Sequence, residues 1–544
     1  MKVLIIGGVA GGASAATRLR RLDEHAEIIV FEKGEYISYA NCGLPYYIGD
    51  VIQNRDALLV ETPQSFNKRY NVDVRTKQEV VQINPDEKTV RVKDNTSGET
   101  YIEHYDKLVL SSGAKPVIPP VEGIENDRIF TLRNIPDTDT IKAFISKENV
   151  KRAMVIGGGF IGLEMVENLH HLGIDVTLVE LDKQVFPSMD YSLAGMINQE
   201  LERNRVKVLF QTHVLKFEKT GKGIVAHLNN SERIETEMVV LSIGVRPDVE
   251  LAKQCGIATG SLGGIQVNEY MQTSFPDIYA VGDAVEVNNL VTNKPMLLPL
   301  AGPANKQGRM VANNIVLGNK ERFEGVIGNS IAKVFSLTVA KAGLSARQLQ
   351  REGIDYLSSY THSMSHAGYY PNPVSMTIKI LFSPTTGQVY GAKIVGQDGV
   401  DKRMEMIAQT IQRKGTVKDL AELEQAYAPP YSSAKDPVNM AGFVASNILS
   451  GEMKVVHKED ILPDDFILDV RTVKEYSQGH IENAVNIPLD ELREYLDEIP
   501  KDRRIIIHCA IGMRAYFAYR ILAQSGFDNL YNLSGGYRTY TLSE

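Results

Sequence analysis

The sequence predicts an α/β fold throughout, divided among several domains. Three stretches carry that prediction. "KVLIIGGVAGGASAATRLRRL" near the N-terminus and "RAMVIGGGFIGLEMVENLHHLG", about 150 residues further on, each read as a buried strand, a glycine-rich turn and a helix. "IIIHCAIGMRAYFAYRIL" near the C-terminus reads as a buried strand, a short loop and an amphipathic helix. A chain of 544 residues exceeds what one core can organise, so three or four domains are expected.

In the first stretch Val3 to Ile6 form the strand, and "EIIVFEK" is the next strand, ending in Glu32. Glycines allow a tight turn and close approach to a pyrophosphate seated on the helix N-terminus. An acid about 20 residues on accepts hydrogen bonds from a ribose. Gly7 and Gly12 occupy the first and last glycine places, with Val9 at the middle one. The second copy has Gly157, Gly159 and Gly162 in full G-x-G-x-x-G register, and Glu180 ends its next strand. Two such units in one chain point to two dinucleotides, FAD and a nicotinamide nucleotide. "TSFPDIYAVGDAV" places Gly282 and Asp283 after a strand, where an acid reaches a ribityl hydroxyl. "LVLSSGAKP", with Gly113, returns the chain from the first domain to the second.

Together these segments resemble the two-dinucleotide-binding flavoproteins, the pyridine nucleotide-disulfide oxidoreductases. The resemblance implies that Gly7, Gly12, Glu32, Gly113, Gly282 and Asp283 hold FAD, and that Gly157, Gly159, Gly162 and Glu180 hold NAD(P)H. A carboxylate at Glu180 favours the free 2′-hydroxyl of NADH and repels a 2′-phosphate, while Lys183 nearby offsets part of that and leaves NADPH open.

The three cysteines, Cys42, Cys255 and Cys509, make no disulfide framework and suit a reducing cytoplasm. Cys42 lies in "YISYANCGLPYYIGD". Most disulfide reductases of the family carry C-x-x-x-x-C here, but Tyr47 stands five residues after Cys42. Cys42 must then cycle through a mixed disulfide, a persulfide or a sulfenic acid, unless it is an inert packed thiol. "SYANCGLPY" resembles the coenzyme A-disulfide reductases. NADH peroxidases carry a histidine where "GGVAGG" has Ala10. The resemblance places the first helix beside a pantetheine channel, so Arg18 and Arg21, which share a face, contact CoA phosphates or else form a solvated basic face. Ser38 and Asn41 flank Cys42 and hydrogen-bond the pantetheine or the sulfur. "EQAYAPPYSSAKDPVNMAGFVASNIL" resembles the dimerisation domain, in which tyrosines of the partner subunit approach the active sulfur. That role maps to Tyr427 and, in "SHAGYYPN", to Tyr369, with a backbone-satisfied interface tyrosine as the alternative. Cys255, at a helix end, reads as structural.

Beyond residue 449, "FILDVRTVKEYSQGHIENAVNIPLDEL" and the stretch around Cys509 resemble a rhodanese domain. Backbone N–H groups of the loop after Cys509, the helix N-terminus and Arg514 stabilise a thiolate or persulfide there. Asp469, Arg471 and His480 match that family's structural signature. The expected layout is an FAD domain at 1–112 and 243–325, an NAD(P)H domain at 113–242, an α+β dimerisation domain at 326–447 and a rhodanese domain at 457–544. The expected activity is FAD-dependent NAD(P)H reduction of CoA disulfide, CoA persulfide or polysulfide. An NADH oxidase or peroxidase, and a sulfur-carrier or redox-sensing protein, are the alternatives. A net charge of −8 argues against nucleic acid and anionic membrane as partners. A cytoplasmic homodimer acting on a small thiol or sulfur substrate, with no metal, is expected. The N-terminal glycine cluster argues against a signal peptide.

Overall fold

Val3 to Ile6 are apolar without alternation, as a strand covered on both faces requires. In the computed structural model, which describes residues 1–542, they lie in the strand Lys2–Ile6 at the centre of a five-stranded sheet. The order is Ile278–Ala280, Lys107–Leu110, Lys2–Ile6, Glu27–Glu32, Asp73–Thr76, and every pair is parallel. The second glycine-rich unit builds a like sheet, in the order Lys207–Leu209, Asp175–Val179, Arg152–Ile156, Met238–Leu241, Ile129–Thr131, again all parallel. In each sheet the strand before the glycine turn is flanked by the next strand on one side and by a much later one on the other. That is the switch point where open α/β sheets bind ligands.

The glycines do what this geometry demands. Gly7 and Gly157 sit at φ +99° and +102°, a region closed to most side chains. A Cβ on Gly162 would stand 1.8 Å from the Gly157 carbonyl oxygen, so only glycine lets the helix Phe160–His171 close onto its strand.

The chain forms two compact units. One comprises Met1–Lys183 with Val206–Val326; the other comprises Gln184–Arg205 with the chain from Ile327 onward. Gln184–Arg205, which lies inside the 113–242 stretch read as a nucleotide domain, thus packs with the second unit.

The second unit holds an antiparallel sheet in the order Ser330–Val334, Leu337–Gly343, Val389–Gly396, Ser375–Phe382, Leu357–Met364. It also holds a parallel sheet in the order Val455–Val456, Leu530–Leu533, Ile505–His508, Phe466–Asp469, Val485–Asn486. On the antiparallel sheet Lys341, Lys393 and Lys379 are register partners across three strands. Asp190 answers this row of cations, with Lys379 Nζ at 3.5 Å. Burial works against the charged carboxylate, but Lys379 and Lys393 outweigh it and hold Asp190 below the usual carboxylate range. Burial pushes Lys393 down to about 8, and its ammonium donates to the Leu344 carbonyl.

The edge strand Leu357–Met364 is where the two sheets of this unit meet. The Tyr360 N–H donates to Ser534 Oγ at 3.0 Å, and Ser358 Oγ bonds His457 Nε2 at 2.8 Å. His362 Nε2 lies 3.1 Å from both the Gly535 carbonyl oxygen and Thr539 Oγ1, while its Nδ1 faces Thr377 Oγ1 at 2.9 Å. The carbonyl can only accept, so Nε2 carries the proton and the ring is the neutral tautomer that accepts from Thr377.

Three histidines of this unit, one buried (His508) and two partly buried (His362 and His457), therefore fold uncharged. Burial pulls His362 down to about 3, and His457 and His508 each to about 4. The unfolded chain protonates these rings below about pH 6.5, whereas the folded unit resists until about pH 4. Stability is thus full above that upper value and is lost as pH falls through the window, by at most about 1.4 kcal/mol per ring and pH unit. Thermal melts between about pH 7.5 and 4.5 should show Tm falling with acidification, and His362→Gln or His457→Gln should flatten the fall. A wild-type Tm that stays level across this window contradicts the assignment.

Candidate active site

Cys42 sits on a short turn, Asn41–Gly43, that runs directly into the helix Leu44–Ile48. The turn is held at both sides. The Ser38 N–H donates to the Gly8 carbonyl of the first glycine loop at 2.9 Å, and the Ala40 N–H donates to the Leu58 carbonyl at 2.8 Å. Ser38 takes the left-handed conformation, φ +45°, to make the bend. Cys42 is open at the surface. Even so, partial desolvation by the surrounding chain pushes its thiol up, and the Glu164 and Asp283 carboxylates push it further. Tyr47 stands on the helix beyond, so no second thiol lies within reach along the turn.

Glu164 was not legible from the sequence. It comes from the helix of the second glycine unit, and Tyr46, in the helix after Cys42, donates to its Oε1 at 3.4 Å. Burial raises the Glu164 carboxyl to about 7. Arg133 was missed as well. Its Nε donates to the Ala114 carbonyl at 2.9 Å and its Nη2 faces Asp283 Oδ2 at 3.4 Å, beside Gly113. Burial lifts the Asp283 carboxyl and Arg133 opposes the rise.

Both dinucleotide sites fit their groups. Neither the helix Ala10–Leu22 nor the helix Phe160–His171 has a side-chain cap or an acid in its first turn, so the N–H groups and positive dipole end of each are left for a phosphate. Glu32 accepts from the Gly8 and Gly34 N–H groups at 3.1 and 2.9 Å, which fixes the carboxylate at the strand end. Glu180 is fixed likewise by Gly158 and Asp182, at 2.6 and 2.8 Å. A Cβ on Gly159 would meet nothing within 4 Å, leaving room at the second loop. The Gly282 N–H donates to Gln307 Oε1 at 2.7 Å and so sets the turn that carries Asp283.

Of the first helix's arginines, Arg20 is buried and donates to the carbonyls of Tyr70, Asp23, Glu24, Ala26 and Asn71. Arg18 turns its Nε to Asn313 Oδ1 at 2.7 Å, and Arg21 is exposed. Cys255 caps its helix, and its thiol donates to the Ala252 carbonyl at 3.3 Å.

In the second unit Tyr369 and Tyr427 meet at the surface, hydroxyl to hydroxyl at 2.7 Å, with 76% and 46% of their area exposed. That hydrogen bond raises the Tyr427 phenol above its ordinary value.

Cys509 is fully buried at the end of the strand Ile505–His508. The Gly512 N–H donates to its Sγ at 3.1 Å, and Gly512 caps the helix Met513–Gln524. Arg514 is clamped by Glu475, a partner the sequence did not disclose, through Nη1–Oε2 at 2.8 Å and Nη2–Oε1 at 2.6 Å. Arg514 draws Glu475 down to about 2, and Glu475, with the nearby Cys509, raises the guanidinium. Below this loop Asp469 and Arg471 form a buried fork, and Arg471 also holds the Gly479 carbonyl at 2.8 Å. Losing one partner of such a pair costs about 3–5 kcal/mol. His480 stacks on Tyr476 at 4.0 Å. Among the described residues no group of three or more side chains is placed to hold a metal, and no helix is long and apolar enough to cross a membrane.

The chain is similar to known proteins along its whole length. Residues 1–305 match the pyridine nucleotide-disulphide oxidoreductase family, residues 330–437 the dimerisation domain of that family, and residues 454–543 the rhodanese-like domain. A coenzyme A disulfide reductase of Staphylococcus epidermidis is 36% identical over 451 residues, which span 82% of this chain and 99% of that protein. The crystal structure of reduced Bacillus anthracis CoADR-RHD superposes with a TM-score of 0.98 at 50% identity, covering 100% of this chain and 98% of the other. An NAD-dependent persulfide reductase from A. fulgidus superposes with a TM-score of 0.94 at 38% identity, covering 99% and 100%. By sequence and by fold, the chain belongs to the pyridine nucleotide-disulphide oxidoreductase family, with that family's dimerisation domain and a rhodanese-like domain following the nucleotide-binding region.

Proposed function

We propose that the protein is an FAD-dependent NAD(P)H reductase of CoA disulfide and CoA persulfide, in which Cys509 handles sulfane sulfur. The observation that carries this reading is the lone thiol of Cys42, set on a turn braced by the first glycine loop, in the same chain as a second cysteine cradled for a sulfur anion. The names of the relatives, coenzyme A disulfide reductase and persulfide reductase, support it.

Cys42 thiolate attacks the sulfur–sulfur bond of the substrate. With CoA disulfide the bond to one CoA sulfur breaks, a Cys42–CoA mixed disulfide forms and CoA thiolate leaves. With CoA persulfide the same mixed disulfide forms and hydrosulfide leaves. Bound FAD and NAD(P)H supply the two electrons that, with a proton, return the mixed disulfide to Cys42 thiolate and CoA thiol. Glu180, held at its strand end, is the group that meets the adenosine ribose and favours NADH. Arg18 and Arg21 hold CoA phosphates, and Ser38 and Asn41 line the thiol turn. In the homodimer Tyr427 and Tyr369 face Cys42 of the partner subunit, where a phenol donates to the leaving thiolate. Cys509 thiolate attacks a terminal sulfur of polysulfide; the adjoining sulfur–sulfur bond breaks, the polysulfide one sulfur shorter leaves, and Cys509 becomes a persulfide. CoA thiolate attacks that outer sulfur, leaving Cys509 thiolate and CoA persulfide. The enzyme works in the cytoplasm, where CoA and reduced thiols are found.

Cys42→Ser should abolish reduction of CoA disulfide and CoA persulfide, while NADH still bleaches the flavin absorbance, because hydride delivery does not need the thiol. Turnover near the wild-type rate excludes Cys42 as the nucleophile. Mass spectrometry of the oxidised wild type should find CoA on Cys42; a sulfenic acid alone would favour a peroxidase.

Cys509→Ser should cut polysulfide reduction by at least about 10-fold and leave CoA disulfide reduction nearly unchanged, since only polysulfide needs a protein persulfide as intermediate. Unchanged rates with both substrates would remove Cys509 from the reaction.

A further inference from the structure

The two tyrosines sit on irregular segments, residues 365–374 and 423–436, which no sheet ladder holds in place. Both segments close over one buried side chain. Arg403, in the helix Val400–Gln412, is 1% exposed. Its Nη2 donates to the Ser365 carbonyl at 2.8 Å, at the start of the segment that carries Tyr369. The same Nη2 reaches Ser432 Oγ at 3.2 Å and Asp436 Oδ2 at 2.9 Å, in the segment that carries Tyr427. Its Nε lies 3.2 Å from Asp436 Oδ2, and its Nη1 returns to the Gly399 carbonyl of its own helix at 3.1 Å. Ser432 Oγ in turn donates to Asp436 Oδ2 at 2.5 Å, and Asp436 caps the helix Pro437–Leu449 through the Val438 N–H at 3.0 Å. One backbone bond joins the segments directly, from the Ala367 N–H to the Ser432 carbonyl at 3.0 Å.

A buried ion pair of this kind is poor evidence of stabilisation, because desolvation consumes most of what the charges gain. What it supplies is geometry. A guanidinium fork donates in fixed directions, which a flexible ammonium does not. Here the fixed directions end on the two segments whose outer tips carry the phenols that touch at 2.7 Å.

We propose that Arg403 is a positioning residue for the sulfur chemistry: it fastens the two tyrosine segments to each other and so sets the Tyr369–Tyr427 pair that meets the active sulfur. The inference rests on the reading of these tyrosines given under the proposed function.

A double-mutant cycle tests it with the full-length holoenzyme. Arg403→Met combined with Asp436→Asn removes both buried charges together and keeps a helix-capping side chain. Tyr369→Phe combined with Tyr427→Phe removes the phenols. The arginine variant should lose about 10- to 100-fold in kcat for CoA disulfide, the cost of misplacing a catalytic group by about an ångström. Its KM for NADH and its rate of flavin reduction by NADH should not change. Added to the tyrosine variant, it should cause no further loss, because both act through the same group. A folded, FAD-loaded arginine variant with wild-type kcat overturns the inference, as does a loss that multiplies with that of the tyrosine variant. A tyrosine variant with wild-type kcat instead overturns the role of the tyrosines, which identifies the underlying reading as the failure. Should the charge-free variant not fold, Arg403→Lys keeps the cation against Asp436 but lacks the fork; it should lose about 5-fold or more in kcat. Full kcat in that variant overturns the inference equally.

Discussion

A single thiol cannot store two electrons in a disulfide of its own. With Tyr47 where a second cysteine would stand, any disulfide at Cys42 needs a sulfur from beyond this turn. This constraint orders much of the molecule. It asks for an open turn at Cys42 and for a thiolate there, beside Tyr46 and the Glu164 carboxyl that burial raises to about 7. The nearby carboxylates work against it, since Glu164 and Asp283 both favour the protonated thiol.

Cys509 solves the opposite problem. It is buried, with a backbone N–H donating to its sulfur at 3.1 Å and, nearby, a guanidinium held in place by Glu475. Glu475 is itself fixed by the start of its helix, where Thr472 and Glu475 cap one another. The two cysteines thus differ in setting. One is exposed on a turn; the other is enclosed at a strand end with a backbone donor on its sulfur.

The parts legible in the sequence were those written in contiguous residues. The strand–turn–helix units around Gly7 and Gly157, the missing second cysteine after Cys42, and the strand and loop around Cys509 are each local patterns whose period and glycine spacing have one structural meaning. The pairs that complete the sites are not local. Arg133 meets Asp283 across 150 residues, Tyr46 meets Glu164 across 118, and Arg403 meets Asp436 across 33. Glu475 stands at the fourth place of the capping box that Thr472 opens, which explains a helix start and says nothing of Arg514. The segment Gln184–Arg205 follows the nucleotide-binding pattern without a break in composition. Its place in the second unit is decided by contacts such as Ser192 with Tyr360, at 2.5 Å, which no period encodes.

The edge strand Leu357–Met364 has a consequence for how such chains are built. An outer strand with unpaired backbone groups is a template for joining other strands, and soluble proteins must blunt it. Here the blunting is done by the C-terminal domain, whose Ser534 takes the Tyr360 N–H and whose Gly535 and Thr539 occupy His362. The rhodanese-like domain thus covers the outer edge of the antiparallel sheet. Shortening the chain to the length of its staphylococcal relative would uncover both the strand and the polar groups beneath it.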